Sequence, residues 1–162
     1  MSDPNPLSRN LHVGLALYVS FVFIQSLFFK FAGSPETVYI FEQKLDPWAA
    51  SLGFPGLFTP GGIFSAVVIG SVELLAAALL LLGTFVARLR VLQGLGALLG
   101  LAVISGAIAF HLFTPLGIAV KTADGTSDGG TLFIMACGVW VACAVLLAMR
   151  REMLLPGSAR SR

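Results

Sequence analysis

Charge is scarce in this chain. Only 11% of its residues are Asp, Glu, Lys or Arg, where soluble domains carry about 25%. That excludes an ordinary soluble domain. With 57% hydrophobic residues in 162, a small chain that buries only about two-thirds of its unfolded surface has nowhere to hide them. Charge of one sign is lacking too. A net charge of +2, with no basic stripe interleaved by aromatics, gives no reason to expect a nucleic-acid partner. Metal-ligating residues are few. The cysteines are Cys137 and Cys143, and the histidines are His12 and His111. Six positions apart on one predicted helix, the two thiols lie roughly 120° apart around its axis. They cannot bridge within a regular helix and read as buried, unreactive side chains. With no C-x-x-C, no H-x-x-x-H and no Cys–His cluster, a haem or iron–sulfur centre carried by this chain alone is not expected. The short alternating strands of a transmembrane barrel are missing as well.

What the chain has is long apolar runs, and a mean hydropathy of +0.92. Four segments reach the 20 or so residues that span a bilayer. They run over about 11–31, 63–87, 91–113 and 131–149. Backbone polar groups must be satisfied inside lipid, so these are helices. The expected fold is all-α: one domain over 1–162, an integral membrane four-helix bundle. Only "RLR" separates the second span from the third, which makes them antiparallel neighbours. The first span is longer than the apolar core of a signal peptide and lacks an A-x-A pattern, so it reads as a retained helix.

Positive charge sets the expected orientation. Arg9, Arg88, Arg90, Arg150, Arg151, Arg160 and Arg162 fall on one side of this topology, and Lys30, Lys44 and Lys121 on or near the other. Both termini are then cytoplasmic, in a plasma membrane of the bacterial inner type. The first outer loop, 32–62, has its own helix signals. Ser34-Pro35-Glu36 reads as an N-cap, a first-turn proline and an acid matched to the helix dipole. Asp46-Pro47 repeats the signal, and Gly53 reads as a stop. Val38, Phe41, Leu45, Trp48 and Leu52 form one apolar stripe over two short interfacial helices. These helices either cap the bundle or lie on the membrane surface. The second outer loop, "PLGIAVKTADGTSDGG", reads as a turn-rich cap.

Polar groups inside the spans are the candidates for chemistry. Gln25, Ser26 and Lys30 lie on the first span, Glu73 on the second, Ser105 and His111 on the third. A charge at the bilayer centre costs roughly 2.5–3.5 kcal/mol on insertion scales, so Glu73 is expected to face protein beside a partner. Ala66, Gly70, Glu73 and Ala77 form a stripe of small residues that admits a neighbouring helix closely. Gly96, Gly100, Ile104, Ala107 and His111 form the matching stripe on the third span. Counted from Ile63, Glu73 lies about 15 Å inside its span. Lys30 and His111 sit within about a turn of their ends. The expected site is therefore a shared polar cluster of Glu73 with Lys30, Gln25 or His111, and the depth difference leaves the choice of partner open.

Three blocks in order carry a family resemblance: "FFKFAGSPETVYIFEQKL" after the first span, "SVELLAAALLLLGTFVARL" in the second and "GLAVISGAIAFHLFTPLG" ending the third. In these the chain resembles the DoxX family of small four-helix membrane proteins, over roughly 11–149. The tail "MRREMLLPGSARSR" carries no matching motif. Some members are subunits of a thiosulfate:quinone oxidoreductase, and others associate with redox-stress partners. The resemblance implies a redox setting rather than a reaction. It points to an accessory subunit of an oxidoreductase, with membrane lipid and a redox partner protein around it and room for a homo-oligomer. Such a subunit would bind a quinone or a similar lipid-soluble small molecule in an outward-facing polar pocket near Glu73, His111, Lys30 and Gln25. A histidine and a carboxylate suit proton-coupled chemistry there. The alternative is a non-catalytic anchor or assembly factor whose polar groups only fix helix register. Four helices without an evident repeat leave little room for a transporter's alternating access.

Overall fold

The computed structural model describes residues 6–121 and 125–154, with side-chain surroundings over 10–121 and 125–150. It is all-helical, as expected. Helix α1 spans Pro6–Ala32. A short helical arm follows, made of α2 (Pro35–Val38), a π-helical turn (Tyr39–Leu45) and α3 (Asp46–Ser51). Three long helices complete the chain: α4 (Ala66–Phe85), α5 (Arg90–Phe113) and α6 (Thr131–Leu154). A 3₁₀ turn, Ala87–Leu89, makes the tight α4–α5 reversal. Helix α1 packs against α4 and α6, and α5 packs against the same two. The four helices therefore close into a ring.

The spans were legible because their composition is decisive. All four helices are long and apolar enough to cross a membrane, with mean hydropathies of 1.8, 2.3, 2.1 and 2.6. Small residues form the seams. Gly96 admits the backbone of α4: a Cβ there would lie 2.8 Å from the Leu80 nitrogen. Gly83 and Gln93 pack even closer, backbone to backbone. Phe23, Leu80, Val139 and Leu146 fill the centre. Large apolar side chains such as Phe21, Phe28, Leu75, Leu98 and Val141 stay exposed around the outside. In water that surface would drive aggregation, and in a bilayer it is the face lipid covers. The chain is a multi-pass membrane bundle.

Both long connections meet at one end, called here the capped end. Leu45, Ala49 and Phe58 of the first bury against Leu116 and Val120 of the second, with Phe41, Trp48 and Phe110 packed around them. Phe58 is the hub, its ring 5.3 Å from Phe110 and 5.8 Å from Phe64, centroid to centroid. So the arm caps the bundle. The apolar stripe serves this cap through Phe41, Leu45 and Trp48, while Leu52 stays exposed.

The arm differs from two separate helices. Ser34 caps α2 as expected, its hydroxyl accepting from the Thr37 amide at 3.3 Å. Asp46, however, is no N-cap, because the helical path runs through it. Its carboxylate accepts from the amides of Phe58 (3.0 Å) and Gly56 (3.4 Å) and fastens the following loop. The wider π turn just before Pro47 gives room to a ring that would crowd a regular helix. It also places Lys44 over the ring of Tyr39, 5.2 Å from its centroid. Gly53 is the stop: at φ 92° it closes a Schellman motif, with the Phe54 amide on the Ala49 carbonyl. In the second connection, Asp128 accepts from the amides of Val120, Gly130 and Leu132. One carboxylate thus shapes the loop and satisfies the start of α6.

Candidate functional site

Helix α4 begins at Ala66, with Ser65 as its N-cap, and not at Ile63. The chain before it is held in loop by turns between Leu57 and Phe64. Glu73 therefore lies only about 10 Å from the start of its helix. This removes part of the depth mismatch. Lys30, two residues before the end of α1, covers the rest with its flexible stem.

The two side chains meet. Lys30 Nζ pairs with Glu73 Oε2. The Ser26 hydroxyl donates to the same oxygen at 2.8 Å, and Lys30 Nζ also donates to Ser26 Oγ at 3.2 Å. Ser26 and Lys30 are four apart, so they stack on one face of α1. Gly70 places α4 close by, its Cα backed by Leu27 and Phe31 of α1. The result is a polar triad in the α1–α4 seam, in the half of the bundle nearer the cap. It is well enclosed: the side chains of Lys30 and Glu73 are 15% and 7% exposed. Among the described residues it is the sole ion pair given by side-chain geometry.

The triad leaves hydrogen-bonding capacity unused. An ammonium has three donors, and two of Lys30's are taken. Glu73 Oε2 carries both bonds, while Oε1 has none among the described residues. No fully buried side-chain oxygen or nitrogen lacks a partner there. Oε1 therefore keeps some access to space outside the protein's own contacts. One free donor and one free acceptor lie side by side.

The other expected residues are placed differently. Gln25 is exposed on α1, and the bonds to Glu73 come from Ser26 and Lys30 instead. Adjacent residues point about 100° apart around a helix, so Gln25 cannot share the face that Ser26 and Lys30 define. His111 is buried, but it serves the cap. Its Nδ1 lies 2.7 Å from the Gly117 carbonyl, and its ring packs edge-on to Phe133 at 5.6 Å. A carbonyl only accepts, so Nδ1 carries the proton. His111 thereby ties the end of α5 to the loop that follows.

A second polar network was not foreseen. At the opposite end, called here the arginine end, Gln93 is fully buried on α5. Its amide donates to Thr84 Oγ1 at 2.8 Å, and its Oε1 accepts from Arg150 Nε at 2.6 Å. Thr84 donates in turn to the Leu80 carbonyl at 2.6 Å. The signal was there: Thr84 and Gln93 are lone polar residues on either side of the "RLR" turn. Among the described residues no cluster of His, Cys, Asp and Glu could hold a metal ion.

Comparison with protein-family models, with curated proteins and with solved structures finds no match.

Proposed function

We propose that this chain is a DoxX-like membrane subunit of a quinone-linked redox complex, with Lys30, Ser26 and Glu73 as its ligand site. The observation that carries the reading is the enclosed Lys30–Glu73 pair, with one donor and one acceptor left over. Ionisable groups inside a membrane bundle mark ligand or proton sites by default. The resemblance of the three sequence blocks supports the family. The orientation belongs to the same proposal: the arginine end faces the cytoplasm of a plasma membrane, and the capped end faces outward.

The residues fit a quinone. Lys30 can donate its third proton to a ring oxygen, and Glu73 Oε1 can accept from a hydroxyl. The exposed apolar rings of α1, Phe28 and Phe31 among them, suit an isoprenoid tail. A bound quinone supplies two-electron, two-proton chemistry. The chain's part is to hold the ring and exchange a proton at Glu73, whose charge Lys30 balances.

Lipid extraction from the purified protein tests this. A quinone near one-to-one stoichiometry is expected, lost in Glu73→Gln with the helical fold retained. A stoichiometric soluble partner with no small molecule would replace this reading with that of an anchor.

A further inference from the structure

Arg150 closes the last apolar span at the arginine end, and the end of a spanning helix meets the headgroup region. Its guanidinium is held in place by a buried relay. Nε is bonded to Gln93, and Gln93 is anchored through Thr84 to the backbone of α4. This fixes one edge of the fork and leaves the two terminal amino nitrogens without a partner among the described residues. Arg90 opens α5 three residues before Gln93, on the same side of the helix, which puts its charge at the same end of the bundle as Arg150. Arg88 stands exposed in the turn beside it.

Among the described residues, no acid stands beside this group. The described acidic side chains are Glu36, Glu42, Asp46, Glu73 and Asp128. Four belong to the connections at the capped end, and Glu73 is paired with Lys30 in that half of the bundle. Holding like charges together while locking one of them by a fully buried glutamine is costly without an anion. The start of α5 adds a weaker pull. The positive end of the α5 dipole lies there.

We infer that Arg150, held by Gln93, forms with Arg90 and Arg88 a clamp for the phosphodiester of an anionic phospholipid. A guanidinium with a free amino edge suits phosphate oxygens in a bidentate fork. The clamp's depth suits a headgroup whose acyl chains lie along the apolar faces of α5 and α6. Basic groups between transmembrane helices on the cytoplasmic side bind such headgroups in general. A free phosphate offers the same oxygens, and the experiment separates the two.

The full chain in neutral detergent is melted with added phosphatidylglycerol, with phosphatidylcholine, or with inorganic phosphate. Phosphatidylglycerol is expected to raise the melting temperature by several degrees more than phosphatidylcholine. The excess should shrink as salt rises. Arg150→Gln should abolish it, and Arg90→Gln, which leaves the Gln93 bond intact, should at least halve it. Lys121→Gln at the other end should leave it unchanged. Equal gains from both lipids, or a full excess in Arg90→Gln, would overturn the clamp. So would a Lys121→Gln loss as large as that of Arg90→Gln. An equal gain from inorganic phosphate alone would overturn the lipid assignment.

Discussion

Lys30 and Glu73 start at unequal depths on antiparallel helices, yet their charged groups meet in the α1–α4 seam. Removing one partner strands the other. Glu73→Leu is expected to cost about 3 kcal/mol, the low end for breaking a buried pair, because a lysine this near a helix end can swing toward the headgroups. Replacing both, as Lys30→Met with Glu73→Leu, should recover most of that loss. Unfolding of the single and double variants in one detergent measures the coupling. Additive losses would mean that the two side chains do not depend on each other.

Glu73→Gln separates stability from function. Ser26 and Lys30 can still donate to an amide oxygen, so the melting temperature should fall less than in Glu73→Leu. Proton exchange at this position is gone. Quinone content, or redox activity dependent on a partner protein, should fall at least tenfold. A variant with full ligand and activity would leave the triad a purely structural device.

Why Lys30 was legible as the partner and Gln25 was not excluded follows from two features of the chain. The small-residue stripe through Gly70, Glu73 and Ala77 fixed the buried face of α4, and all three are buried. The start of that helix was obscured, because Ile63 and Phe64 extend the apolar run although turns hold them in loop. Hydropathy cannot distinguish an apolar loop from the first turn of a helix. The three-residue error put Glu73 too deep for Lys30 and kept His111 in play. The i, i+4 spacing of Ser26 and Lys30 already disfavoured Gln25. In the Gln93 network, Thr84 and Gln93 stand out locally beside the turn, but the bond to Arg150 joins residues 57 apart in the chain, and no local pattern announces that contact. Phe58 escaped notice for the same reason, being the hub of a cap drawn from both connections.

The cap gives a prediction in which environment matters little. Phe58 is 2% exposed and touches three other aromatic rings. Phe58→Ala should cost roughly 3–5 kcal/mol, as for other large-to-small changes in a core. The loss should be similar in detergent and in lipid, because protein and not bilayer surrounds this ring. A loss confined to lipid would mean that the arm lies on the membrane surface.

Orientation can be read by labelling. In a background with Cys137 and Cys143 replaced by alanine, Ser127→Cys at the capped end should react with an impermeant maleimide in intact cells. Ala87→Cys, exposed in the α4–α5 turn, should react only after the membrane is opened. The reverse pattern would place the arginines outside and withdraw the proposed orientation.

Two glycines test whether close helix packing, rather than composition, holds the arginine end together. At Gly83 a Cβ would lie 2.1 Å from the Gln93 nitrogen and 2.7 Å from its Cα. Both are backbone atoms and cannot swing aside, so Gly83→Ala must push α4 away from α5. That movement also strains the Gln93–Thr84 bond, which spans the same turn. A loss of about 2–3 kcal/mol is expected, at the upper part of the overpacking range. Gly106, in the middle of α5, has nothing within 4 Å of its would-be Cβ. Gly106→Ala should instead be neutral or gain about 0.5–1 kcal/mol, because alanine restricts the unfolded chain. The two substitutions add the same methyl group to helical or near-helical backbone, so propensity alone predicts the same sign for both. Opposite signs in chemical unfolding would show that the α4–α5 contact decides the outcome, and equal gains would show that it does not.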